Sequence, residues 1–120
     1  MAWILDKSRP ICPQICDMIC LRISRGEYGP NEKIPSVRDI AIEAGVNPNT
    51  VQKALTILTE QGMIYPMRGS GLYVNDNTEK ASDKIDELRK QKTLEYFKEM
   101  ELLGLKTEEI KKYVEEWNKE

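Results

Sequence analysis

Histidine is absent from the 120 residues, cysteine occurs three times and phenylalanine once. Without imidazole the chain lacks the side chain best suited to proton transfer near neutrality, and no nucleophile–base spacing takes its place. Paired acids such as Glu108 and Glu109 read as a solvated helix start, so an enzyme is not expected. The cysteines, Cys12, Cys16 and Cys20, lie four apart on one predicted helix. Three thiols without histidine make an incomplete tetrahedral zinc set, and the spacing fits no common zinc motif. An odd number also argues against a full disulfide set. The thiols are read as small buried apolar groups in a reducing compartment, with no metal and no cofactor. At ~100° per residue their stripe starts beside the isoleucine face and drifts away from it toward Cys20.

Also missing is any stretch approaching the ~20 apolar residues of a membrane span. The chain starts with Asp6, Lys7 and Arg9 close together, not with a long apolar run. Neither a membrane partner nor a secretory leader is expected, and a cytoplasmic location is. Net charge is −2, so bulk charge does not announce nucleic acid. Its distribution says more. Through residue 75 there are eight Lys and Arg against seven Asp and Glu; the remainder has ten against thirteen. The excess acid sits in the second part, which leaves the first free to present a local basic surface.

The most informative stretch is PSVRDIAIEAGVNPNTVQKALTILTEQG, residues 35–62. Ser36 and Asp39 make a capping box, and Val37, Ile40, Ala41 and Ala44 line one face of a short helix. Gly45 ends it, because glycine takes the left-handed C′ position without a Cβ penalty. Val46 plugs the turn, Asn47 caps a second helix and Pro48 occupies its first position, where a missing N–H costs nothing. Val51, Leu55 and Leu58, with Ala54 beside them, form the buried stripe up to Gly62. Helix, glycine turn, helix is the helix-turn-helix spacing. Asn49, Thr50, Gln52 and Lys53 cluster at the end of the second helix that meets base edges in a major groove. An ordinary helical hairpin with a solvated polar face would share this pattern.

The segment after Gly62 favours DNA. Residues 63–67 and 72–74 are β-prone runs around Arg68-Gly69-Ser70-Gly71, a hairpin with a basic tip. The combination reads as a winged helix; the glycines admit the backbone to a phosphate or a narrow groove. The loop is too short for a Walker motif.

Three motifs in order, Pro35-Ser36-Val37-Arg38, Gly45-Val46-Asn47-Pro48-Asn49-Thr50-Val51 and Arg68-Gly69-Ser70-Gly71-Leu72-Tyr73-Val74, resemble the GntR family of bacterial winged-helix repressors. PSVR with NPNTV is most similar to its YtrA-like subfamily. The resemblance covers roughly residues 10–75 in detail. Much of the wider family carries arginine where this chain has Pro48 and Gln52, which removes two guanine-reading side chains and agrees with the subfamily. The resemblance implies a short strand at Ile34 pairing with the wing.

The remaining chain fits around these motifs. Residues 1–9 look like an arm, with Trp3, Ile4 and Leu5 packing onto their own domain or, alternatively, onto a dimer partner. Pro10 and Pro13 open a helix to about Arg25, with Ile11, Ile15, Met18, Ile19 and Ile23 as its core face. From Asn75 onward the composition turns to Glu and Lys with good helix formers. Two helices are expected. One runs from about Glu79 to Leu103 with Ile85, Leu88, Leu94, Phe97, Met100 and Leu103 as packing residues. After Gly104, a second is capped by Thr107, with Ile110, Tyr113 or Val114, and Trp117 as its stripe; Tyr96 and Tyr113 flank the stripes. Such a hairpin cannot bury both stripes on itself, and the resemblance implies dimerisation through it.

The expected fold is mainly α with a small β-hairpin: a winged helix-turn-helix head, residues 1–75, and a two-helix dimerisation tail, residues 76–120. The expected function is a sequence-specific, homodimeric transcriptional regulator, a repressor, on a palindromic double-stranded DNA operator. Arg38 contacts a phosphate or a guanine edge. Asn47, Asn49, Thr50 and Gln52 read bases or fix the helix on the backbone, Pro48 shapes its start, Ser36 and Lys53 meet phosphates, and Arg68, Gly69, Ser70 and Gly71 are the wing. A winged helix serving only protein contacts is the alternative; it would need neither the polar helix start nor the basic wing tip. A small-molecule effector is not expected, because the tail offers little volume for the ~300–1,000 Å³ of a ligand pocket.

Overall fold

In the computed structural model, which describes residues 2–117, proline sets the first helix boundary. Pro10 is extended (φ −53°, ψ 132°) and α1 follows as Ile11–Ser24. Ser36 Oγ accepts the Asp39 N–H at 3.1 Å and starts α2, Val37–Ala44. Gly45, at φ +67°, turns the chain as the sequence predicts, and the Val46 N–H closes back onto the Ala41 carbonyl at 3.1 Å. Asn47 Oδ1 accepts the Asn49 N–H at 2.8 Å and begins α3, Pro48–Glu60. An antiparallel hairpin comes next, β1 Ile64–Met67 and β2 Gly71–Val74, with Tyr65 opposite Tyr73 and Met67 opposite Gly71. Two more helices complete the order, α4 Glu79–Leu102 and α5 Thr107–Glu116.

The segment before α2 pairs with the wing as the resemblance implied, though as a single bridge, Lys33 opposite Tyr73, and not as a strand at Ile34. The Ile34 N–H donates to the Leu72 carbonyl, and the Val74 N–H to the Glu32 carbonyl, each at 2.9 Å. Hence β2 is central and β1 is an edge. Pro66 lies on that edge opposite Leu72, whose carbonyl is taken by Ile34, so the missing proline N–H removes nothing from the ladder.

The chain divides into two compact units, Met1–Ile85 and Asp86–Glu120. The core of the first joins Ile15, Ile19 and Ile23 of α1, Ile40 and Ala41 of α2, and Val51, Ala54, Leu55 and Leu58 of α3. Ile34, Met63, Ile64 and Val74 close it from the sheet side. Each fully buried Ile or Leu contributes roughly 1.5–3 kcal/mol, enough to hold three short helices that would be marginal alone.

Five details depart from the sequence reading. The cysteine stripe runs inward: Cys12 is half-buried, while Cys16 and Cys20 are buried beside Ala54 and Met63. Neighbouring elements cover a broader sector of α1 than one isoleucine row, whereas Met18 is only half-buried. Ile85, expected in the tail stripe, is 5% exposed in the head core together with Ala81, and Lys84 approaches Asp17 at 3.9 Å. The first turns of α4 therefore serve the head. Thr107 is the first residue of α5 and not its cap; Lys106 takes the cap position, its N–H bonded to Glu109 Oε1 at 2.9 Å. The arm packs on its own unit through Trp3 and Leu5, while Ile4 stays exposed.

In the second unit Ile110 is fully buried, Phe97 and Met100 are half-buried, and Leu94, Leu102, Leu103, Tyr113, Val114 and Trp117 are exposed.

Candidate nucleic-acid interface

The stripe that buries α3 decides which of its residues face outward. With Val51, Ala54, Leu55 and Leu58 in the core, Asn49, Gln52 and Lys53 are exposed on the opposite side. Thr56 shares that side, three and four residues beyond Lys53 and Gln52. Its hydroxyl donates to the Gln52 carbonyl at 2.9 Å and accepts from Gln52 Nε2 at 3.4 Å. Sequence reasoning passed over Thr56, although the seven-residue step from Asn49 was a readable signal. Thr50 is half-buried, and its N–H returns to the Asn47 carbonyl at 3.0 Å, so its role is partly structural.

Asn47 and Ser36 each spend a side-chain oxygen on a helix cap. Asn47 keeps its amide N–H donors and Ser36 its hydroxyl donor, which suit phosphate oxygens. Pro48 is exposed at the helix start. Arg38 is the second residue of α2 and is exposed.

The hairpin tip is the three-residue loop Arg68-Gly69-Ser70, closed by the Ser70 N–H on the Met67 carbonyl at 3.0 Å. Arg68, Gly69, Ser70 and Gly71 are all exposed. The Ser70 hydroxyl is held against the Tyr73 hydroxyl, and the Tyr73 ring stacks on Tyr65 with centroids 5.9 Å apart. Tyr65 in turn donates to Asn31 Oδ1 at 3.1 Å, and Asn31 Nδ2 to Asp76 Oδ1 at 2.9 Å. The wing is thus braced along one side by hydroxyl and amide contacts.

Among the described residues no carboxylate lies within 4.0 Å of the charged groups of Arg38, Lys53 or Arg68. Three unneutralised cations accompany a helix start rich in amide groups. That set can bind a polyanion and hydrogen-bond to base edges.

The two buried thiols offer no competing chemistry. Burial pushes the Cys16 thiol up to about 12 and the Cys20 thiol up to about 11, so both stay protonated and poorly nucleophilic near neutral pH. Among the described residues no three His, Cys, Asp or Glu side chains are placed to hold a metal, and no helix is long and apolar enough to cross a membrane.

Of the residues expected to pair the tails, Leu94, Leu103, Val114 and Trp117 are exposed, Leu88, Phe97 and Met100 half-buried, and Ile85 and Ile110 buried.

Known proteins share this arrangement. The family model described as bacterial regulatory proteins, gntR family, matches residues 13–74, from the first turn of α1 to the end of β2. The HTH-type transcriptional regulator YhcF of Bacillus subtilis is 36% identical over 105 residues, which is 88% of this chain and 87% of its own. The HTH-type transcriptional repressor YtrA of the same organism is 40% identical over 70 residues, 58% of this chain and 54% of its own. A solved GntR family transcriptional regulator from Listeria monocytogenes superposes with a TM-score of 0.81 at 34% identity, over 95% of this chain and all of that one. The DNA-binding domain of AraR, solved in complex with operator ORX1, matches 58% of this chain and 86% of its own at 31% identity and a TM-score of 0.53. The chain belongs to the GntR family and is a DNA-binding transcriptional regulator.

Proposed function

We propose that the chain works in the cytoplasm as a homodimeric repressor that binds a palindromic operator and carries no catalytic activity. The observation that carries this reading is the exposed polar start of α3, flanked in the chain by Arg38 and Arg68, with none of these cations neutralised among the described residues. Arg38, Asn47, Asn49, Thr50 and Gln52 read or frame bases. Ser36, Lys53 and the wing residues Arg68, Gly69, Ser70 and Gly71 grip phosphates, and Pro48 shapes the helix start. Phosphate contacts supply most of the affinity and no sequence information; base edges supply the discrimination.

Residues 1–85, which include the first turns of α4, act as the DNA-reading head and residues 86–120 as the pairing tail. Leu88, Leu94, Phe97, Met100, Leu103, Val114 and Trp117 meet the same residues of a second copy, while Ile85 and Ile110 support the two units from inside. Support for pairing comes from the exposure of several large apolar side chains on one short unit, which water alone does not stabilise. Support for repression comes from the name of YtrA. A tail of two helices leaves no expected place for a small-molecule effector.

Selection of bound fragments from genomic DNA, followed by filter binding of those fragments and of mixed sequence at low and high salt, tests the reading. A palindromic motif that keeps its preference as salt rises is the expected outcome. Absence of any sequence preference would sink it and leave a winged helix of another purpose.

A further inference from the structure

The residue before Ile34 was assigned no role by its sequence. Lys33 stands in the segment that pairs with β2, bridged to Tyr73, so it is fixed in register beside the wing. A Cβ built on Gly71 would lie 2.9 Å from Lys33 Cε and 3.7 Å from its Nζ. The lysine stem therefore lies on the bare backbone of Gly71, the residue next to the wing loop, in space that any side chain there would occupy. The demand for glycine there comes from the backbone: Gly71 has φ +134°, a conformation that L side chains rarely adopt.

Lys33 is exposed, and among the described residues no carboxylate comes within 4.0 Å of its ammonium. Its neighbour Glu32 is turned away: Glu32 Oε1 accepts the Gly29 N–H at 3.0 Å. The charge is thus held against Gly71, beside the wing loop, and left uncompensated.

We propose that Lys33 is a further DNA-contacting residue, a phosphate grip laid against Gly71 that adds a second cation to the loop end of the wing, which carries Arg68. A lysine there acts as a point charge with three donors and reads no base. It strengthens binding to any duplex alike. The inference rests on the reading that the wing meets DNA.

The test uses the full chain and a labelled duplex of mixed sequence, with affinity measured across a salt series for the parent, Lys33→Gln, Lys33→Arg and Arg68→Gln. One lost phosphate contact lowers the slope of log K against log salt by about 0.9 and weakens binding about five- to tenfold at 0.1 M salt. Lys33→Gln should show that loss and Lys33→Arg should retain the parent slope. A loss with Arg68→Gln but none with Lys33→Gln overturns this inference and leaves the wing reading intact. No loss with either overturns the placement of the wing on DNA, and this inference with it. Far-UV circular dichroism identical to the parent certifies that each variant is folded.

Discussion

The Arg22 guanidinium lies 4.2 Å from the centre of the Trp3 ring, and Arg22 Nη1 donates to the Tyr28 hydroxyl at 2.8 Å. Arg22 is 6% exposed, so a buried cation is held between the arm and the turn after α1. Trp3 Nε1 also reaches Glu43 Oε2 on α2 at 3.3 Å. The arm is thereby a clasp across two helices of the head.

Removing the ring should loosen that clasp. Trp3→Ala is expected to destabilise the head by about 1–3 kcal/mol, through lost packing and a desolvated cation–π contact. The check is urea unfolding of parent and variant. An unchanged midpoint would mean that the arm contributes nothing to the fold.

Arg38→Ala should weaken operator binding by ~1–3 kcal/mol if the side chain meets a guanine edge, with relaxed preference at one base pair. A phosphate contact would instead show as a uniform loss on all sequences and a shallower salt slope. Competition against single-base operator variants distinguishes the two, and unchanged affinity would remove Arg38 from the interface.

Thiol ionisation predicts an alkaline limit to stability. Cys16 and Cys20 hold their protons to about 12 and about 11, against an ordinary value of 9.0, because burial disfavours the thiolate. Folded and unfolded chains bind the same thiol protons only well below 9.0, the ordinary thiol value. Above it the unfolded chain releases them while the folded chain does not, so stability falls as pH rises through this window. Replacing both residues with alanine should flatten that fall relative to the parent, at the cost of some packing. Equal slopes in pH-dependent urea unfolding would contradict the assignment.

Truncation distinguishes the head's own needs from pairing. A chain cut after Asn75 loses Ala81 and Ile85 from the head core and should be measurably less stable than one cut after Asp86. The longer fragment should fold, sediment as a monomer and bind the operator far more weakly than the full chain, since two linked half-site contacts are lost. In the full chain the half-sites should lie about one helical turn, ~34–36 Å, or a multiple of it apart. A full chain that sediments at monomer mass, or a fragment that binds as tightly, would overturn pairing through the tail.

Local chemistry alone determined much of this protein. Ser36, Gly45, Asn47 and Pro48 set the helix-turn-helix because caps, a left-handed turn and a proline start act within about four residues of themselves. The α3 stripe determined which side chains were left to solvent, since a helix that buries Val51, Leu55 and Leu58 must expose Asn49, Gln52 and Lys53. Long-range packing decided the rest. Whether Cys20 faced in or out depended on Met63, 43 residues away. Ile85 looked like part of the tail because its helical spacing is continuous with Leu88, yet the head core takes it. The placement of Lys33 against Gly71 came only from its pairing with Tyr73, 40 residues away in the sequence. Spacing reports what one element can bury; which surface then covers it depends on contacts distant in sequence, and those exist only in the folded chain.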